Sequence, residues 1–187
     1  AKIYNAEPGD YKIIDRNRNN IIDDDDRDFV GQTTPQFFGS FSNTFKSHGF
    51  DLTIFLTYAG GHKIYNPFAY LDSYSPSANM SPDYYHNYWT PERPSNKYPR
   101  LGSTNSQLYE TDGMYQKGDY IRLKNLELGY TLPRNIANKV YASNIRVYAS
   151  VQNLVTFTKY TGFDVETSNA NPYPACRVFM GGLTVNF

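Results

Sequence analysis

Residues 36–58 read QFFGSFSNTFKSHGFDLTIFLTY. Phe37, Gly39, Phe41, Asn43 and Phe45 alternate with Gln36, Phe38, Ser40, Ser42, Thr44 and Lys46. Beyond the turn at Ser47, His48 and Gly49, Phe50, Leu52, Ile54, Leu56 and Tyr58 alternate with Asp51, Thr53, Phe55 and Thr57. Period two kept up for about ten residues on either side of a turn predicts a hairpin of two long strands, one face aromatic and apolar, the other mostly hydroxyl.

The same period recurs downstream. In DYIRLKNLELGYTL, residues 119–132, Ile121 and Leu123 oppose Arg122 and Lys124. The apolar phase then switches at Asn125 to Leu126, Leu128 and Tyr130, which predicts a bulge. NIRVYASVQN, residues 144–153, sets Ile145, Val147, Ala149 and Val151 against Arg146, Tyr148, Ser150 and Gln152. RVFMGGLTVNF, residues 177–187, makes a fifth strand. Helical periodicity is nearly absent. Connections alternate short and long: the turn near His48, then 60–118, the polar stretch 133–143, and 154–176.

Two such long loops fit poorly inside a compact soluble domain. Strands of about ten residues with one apolar face, short turns at one end and long loops at the other, fit the wall of a transmembrane β-barrel. A soluble β-sandwich is the competing architecture, but its strands average nearer five or six residues and its outer face is richer in Lys and Glu. Tyr and Phe near strand ends, among them Phe45, Phe50, Tyr58, Tyr120 and Tyr130, are expected in the two interfacial girdles. Arg122, Lys124 and Arg146, in the polar phase, either line the lumen or pair with carboxylates of the wall or of a plug. Five strands do not close a barrel, so further wall is expected N-terminal to this stretch.

Composition narrows the function. Aromatic residues make up 17%, with 18 Tyr and 12 Phe, in a chain whose mean hydropathy is −0.62. Eighteen basic and eighteen acidic residues cancel, leaving no general field for nucleic acid. Cys176, alone, excludes an internal disulfide framework, and His48, His62 and His86 show no zinc spacing with it or each other. No stretch approaches the length of a membrane helix, and AKIYNAEPGD lacks the apolar core of a signal peptide. No phosphate loop, nucleophile elbow or assignable acid–base pair is present, so an enzyme is not expected.

One polar motif stands out. DRNRNNIIDDDD, residues 15–26, places Asp15, Asn17, Asn19, Asp23 and Asp26 at positions 1, 3, 5, 9 and 12 of an EF-hand-like loop, with the Ile21 carbonyl at position 7. Asn20 stands where the turn glycine belongs and tolerates the left-handed conformation. Three carboxylates instead of four, with Arg16 and Arg18 close by, predict at most a Ca2+ of modest affinity. The alternative is a loop ordered by Asn side-chain turns and by pairs such as Asp28 with Arg16 or Arg27.

Four islands together resemble the C-terminal part of SusC/RagA-type TonB-dependent outer-membrane transporters of Bacteroidetes: residues 15–58, YWTPERPSNKYPRL (88–101), GDYIRLKNLELGYTLP (118–133), and QNLVTFTKYTGFDVE leading to YPACRVFMGGLTVNF. The first is similar to that family's acidic Asp-x-Asn-Gly-Asp-Gly-x-Ile-Asp loop, from which this chain departs at Arg18 and Asn20. The resemblance implies an all-β fold, an antiparallel transmembrane barrel of 22 strands, with about the last five in this chain. It implies an extracellular segment 1–35, a wall 36–187, and extracellular loops 60–118 and 154–176. It also implies a multi-pass outer-membrane location, a SusD-like lipoprotein lid, contact with TonB through an N-terminal region, and import of oligosaccharides or, in some members, peptides. Phe179, Leu183, Val185 and Phe187 resemble the C-terminal insertion signal of such barrels. Tyr84, Tyr85, Tyr88 and Trp89 are candidates to contact substrate or lid, stacking on sugar faces or anchoring the lipoprotein. The alternative to the importer is a soluble, secreted, calcium-binding carbohydrate-recognition β-module.

Overall fold

The computed structural model describes residues 6–66, 82–103, 111–167 and 173–187, so parts of the connections 60–118 and 154–176 lie outside the described residues. Five strands form one antiparallel sheet: β1 (Phe37–Ser47), β2 (Phe50–Gly60), β5 (Tyr120–Thr131), β6 (Asn144–Thr158) and β7 (Val178–Asn186). They lie side by side in chain order, a meander in which β1 and β7 are the edges. Two short strands, β3 (Lys63–Tyr65) and β4 (Tyr115–Lys117), pair separately within the long connection.

The hairpin turn follows from two positive φ angles, 51° at His48 and 85° at Gly49. A two-residue loop of this kind matches the twist of the flanking strands, and glycine takes the second position without a Cβ penalty. Register across the sheet then aligns the apolar residues: Phe41 with Leu56, Phe45 with Leu52, Leu52 with Leu128, Ile54 with Leu126, and Leu126 with Val151. Val151 continues the row to Phe179, and Val147 continues another to Leu183.

The expected bulge sits where the phase switches. Phe55 faces Asn125 and Leu56 faces Leu123, leaving Lys124 without an opposite residue. On the other flank the pairing jumps from Leu123–Val155 to Asn125–Gln152, and Asn153 takes φ 52°. Without the extra residue Leu126, Leu128 and Tyr130 would all turn to the polar side.

Several boundaries differ from the sequence reading. β6 runs to Thr158, so its connection to β7 begins at Lys159 and not at Leu154. After the irregularity at Asn153, Val155 and Phe157 rejoin the apolar rows opposite Leu123 and Ile121. The polar connection 133–143 is helical, with a turn at Arg134–Ala137 followed by a 3-10 turn at Asn138–Val140. Pro133, which has no N–H to leave unsatisfied, opens it. Tyr120 lies in the polar phase beside Arg122, and its hydroxyl donates to Glu166 at 3.0 Å; it is therefore not a girdle residue.

Among the described residues no hydrophobic core covers the apolar side of the sheet. Phe37, Phe41, Phe45, Phe50, Ile121, Leu128, Phe157, Phe179 and Leu183 are each 51–73% exposed. An apolar face this wide, on strands of 9–15 residues, is the surface a bilayer covers. Two long unpaired edges call for neighbouring strands, which barrel closure supplies.

The chain divides into two compact units, residues 32–63 with 117–187 and residues 1–31 with 64–116. The first is the sheet with its connections. The second contains the acidic segment and a helix, Pro82–Asn87, packed among aromatic residues.

Candidate functional site: the polar wall and the loop residues

The face of the sheet opposite the apolar rows is lined by Ser40, Ser42, Thr44, Thr53, Thr57, Asn125, Ser150, Gln152, Thr156 and Thr158, as the register dictates. Thr44 and Thr53 hydrogen-bond across the strands at 3.0 Å. The charged side chains on this face are matched in sign. Arg146 donates through Nε to Asp51 (3.0 Å) and through Nη2 to Glu127 (2.7 Å), and lies over the Tyr148 ring at 5.2 Å. Arg146, Asp51 and Glu127, with Thr44, Lys46, His48 and Thr53, line an open cavity of about 620 Å³.

A second cluster centres on Arg122. It is 3% exposed and donates to Thr156 (2.8 Å), Asp164 (2.5 Å) and Glu166, which also meets Lys124 at 3.2 Å. Asp164 accepts in addition from the backbone N–H groups of Glu166 and Ala175, each at 2.9 Å. Burial would push its carboxyl up, but Arg122 and these two amides outweigh that and hold it below the usual range. Thus Arg122 and Arg146 lie on the polar wall and are each paired with wall or loop carboxylates. Asp164 and Glu166 fall within the island QNLVTFTKYTGFDVE, but nothing in the local pattern pairs them with Arg122, 42 and 44 residues away.

The acidic segment is a chain of side-chain turns. Asp15 accepts from Asn20 N–H (2.9 Å), Asn17 from Asn19 (2.9 Å), Asn19 from Ile21 (2.7 Å) and Asp23 from Asp25 (3.0 Å). Asp26 accepts from Arg16 (2.7 Å) and Asp23 (3.2 Å), so Asp23 and Asp26 form a reciprocal capping box around the 3-10 turn Asp24–Asp26. Desolvation at Asp26 is outweighed by these amides and its carboxyl lies below the usual range. Arg18 and Asn20 take φ 60° and 65°, at the two family glycine positions. Arg16 pairs with Asp28, and Arg27 with Asp24 at 2.9 Å. Among the described residues no three His, Cys, Asp or Glu converge to hold a metal ion.

The four aromatic candidates separate by role. Tyr84 is fully buried, its hydroxyl donating to the Pro99 carbonyl at 3.3 Å, its ring 5.0 Å from Tyr98 and 6.3 Å from Tyr88. Burial pushes its phenol up to about 12, and no ring face remains for a ligand. Tyr88 is covered by Arg93 at 5.5 Å. Trp89 lies against Gly9, where a Cβ would sit 2.3 Å from the indole, and bridges to Arg100 in a short parallel pairing. Arg100 in turn pairs with Asp10 at 2.8 Å and Glu7 at 3.0 Å. Only Tyr85, 60% exposed, presents its ring outward among these four.

On the last strand Phe179 (73% exposed) and Leu183 (63%) share the apolar phase with Val185, and Phe187 (89%) follows them.

No protein-family model matches the chain. TonB-dependent receptor P3 of Formosa agariphila is 33% identical over 97% of the chain and 19% of its own length. TonB-dependent receptor SusC of Bacteroides thetaiotaomicron is 27% identical over 98% of the chain and 18% of its length. Among solved structures, the RagAB peptide importer in its open-open state superposes with a TM-score of 0.69 and 28% identity, over 83% of this chain and 17% of that one. The chain therefore spans about a fifth of the length of the relatives it matches.

Proposed function

The chain belongs to the SusC/RagA-type TonB-dependent receptors, β-barrel proteins of the bacterial outer membrane, and from that membership we propose that it forms a C-terminal part of the wall of an active importer of oligosaccharides. The observation that carries this reading is the two-sidedness of the sheet: an exposed apolar band outside, and inside a hydroxyl- and amide-lined face whose charges are compensated. On that inner face Lys46, Arg122, Lys124 and Arg146 stand against Asp51, Glu127, Asp164 and Glu166. A neutral surface rich in hydroxyl groups exchanges hydrogen bonds with a polyhydroxylated solute and has no fixed charge to trap it.

In this reading 1–35, the connection 60–118 and the connection 159–177 lie outside the cell, and of the four aromatic candidates Tyr85 is the one left to meet a sugar face or a SusD-like lipoprotein lid. The lid captures substrate, and TonB, acting through an N-terminal region, opens the path. The wall contributes passage and no chemistry. A second reading, peptide import, is favoured by the likeness to the RagAB peptide importer. Deletion of the receptor in its own bacterium distinguishes them. Energy-dependent uptake of a labelled neutral oligosaccharide pool is expected to be lost while peptide uptake persists; the opposite loss would make the substrate a peptide, and loss of neither would overturn the importer.

We also propose that the acidic segment takes a weakly held Ca2+ through Asp15, Asn17, Asn19, the Ile21 carbonyl, Asp23 and Asp26. Asp15 Oδ1 is buried without a hydrogen-bond partner, which favours a cation there. Calorimetric titration of the receptor with Ca2+ should give a Kd of roughly 10⁻⁴ to 10⁻³ M, abolished by Asp15→Ala. Equal heats from both proteins would remove the metal.

A further inference from the structure

We propose that the connection between β5 and β6, residues 133–141, is an amphipathic foot that rests on an anionic glycerophospholipid surface; this depends on the sheet being a membrane wall. Ala137 and Ala142 are buried and anchor the turn, while Ile136 (45%), Val140 (55%) and Tyr141 (92%) are left exposed together. Arg134 and Lys139, both exposed, stand among them. The sequence has no Asp or Glu between Glu127 and Asp164, so the connection carries these cations and no acid of its own. Apolar side chains, an amphipathic tyrosine and two cations without a local acid are the complement of an interface with phosphate-bearing headgroups.

The segment is also continuous with the lipid-facing band. Leu132 N–H donates to the Ile145 carbonyl at 2.9 Å, and Ser143 N–H to the Asn186 carbonyl at 2.7 Å. Both ends are thus stitched to strand ends whose apolar phase holds Tyr130, Ile145 and Val185, and Phe187 follows Asn186 directly. Tyr141 takes φ 59°, which ends the helical turn two residues before that stitch. A soluble partner protein would cover the same apolar residues but has no need of their continuity with the bilayer edge.

The test uses the complete receptor in nanodiscs of phosphatidylethanolamine and phosphatidylglycerol, with Cys176→Ser and any other cysteine replaced. A spin label is placed at Val140→Cys, and in a second protein at Leu183→Cys on the apolar band. Collision with oxygen is compared with collision with a water-soluble nickel chelate. The Val140 label is expected to be oxygen-accessible and shielded from nickel, near the Leu183 label in depth, and to shift towards water when R134E and K139E are introduced. A Val140 label in water with a Leu183 label in lipid overturns the foot and leaves the wall standing. A Val140 label shielded from both reagents also overturns it, in favour of a protein contact. A Leu183 label in water overturns the wall itself.

Discussion

Arg122 and Asp164, 42 residues apart in sequence, meet with Nη2 2.5 Å from Oδ1 and both side chains 4% exposed. The pair ties the connection after β6 to the polar wall, because Asp164 also holds the amides of Glu166 and Ala175. Removing one partner of such a pair strands the other as a buried charge, at about 3 kcal/mol. Arg122→Ala should therefore lower amide-exchange protection across 160–167 by roughly a hundredfold. The sign with pH follows from the depressed Asp164 carboxyl. Its contribution is full above the unfolded carboxylate value of about 4 and is lost as pH falls through the lower folded value. Protection in this segment is thus expected to be flat from pH 8 to about 5, and a loss near pH 6 to 7 would point to a different group.

Lys124 has no residue opposite it in the ladder with β2. Deleting it would rotate the remainder of β5 by one residue, sending Leu126, Leu128 and Tyr130 to the hydroxyl face and Glu127 to the lipid. A carboxylate at bilayer depth costs up to about 2 kcal/mol. The deletion should abolish assembly, seen as loss of the heat-modifiable band in semi-native electrophoresis of outer membranes. Lys124→Ala, which keeps the count, should assemble normally.

How far the sequence reaches is visible in these same residues. The hairpin, the two faces and the bulge at Lys124 were legible because side-chain alternation encodes which face is wet. The end of β6 was not, because the irregularity at Asn153 breaks the period before Val155 and Phe157 resume it. Tyr120 was misassigned to a girdle since its neighbour Glu166 lies 46 residues away, beyond any local pattern. Burial of Tyr84 under Tyr98 and Tyr88 likewise depends on how the loop folds back, which aromatic content alone does not encode.

Gly9 takes φ 93° with the Trp89 ring against its Cα, so two independent constraints exclude a side chain. Gly9→Ala adds both backbone strain of about 1–3 kcal/mol and a clash with the indole. The expected result is faster proteolysis within 82–103 with the heat-modifiability of the barrel unchanged, since Trp89 and Arg100 belong to the loop unit. Trp89→Phe alone should be far milder. Equal proteolysis of Gly9→Ala and the parent would mean that the indole contact does not order this loop.

Asp26 organises the acidic segment by accepting from the amides of Arg16 and Asp23. These bonds favour the ionised carboxyl and depress its pKa despite the opposing desolvation. The order it confers is present above the unfolded value of about 4 and decays as pH drops through the folded one. Asp26→Asn keeps one acceptor oxygen but loses the charge and the second oxygen, so protection at Arg16 should survive in part and that at Asp23 should fall; Asp26→Ala should remove both. Measured by amide exchange without added Ca2+, this ordering of the three proteins separates a loop held by its own side-chain turns from one that needs an ion. If the parent shows no protection at either amide until Ca2+ is added, the ion and not the capping box orders the segment.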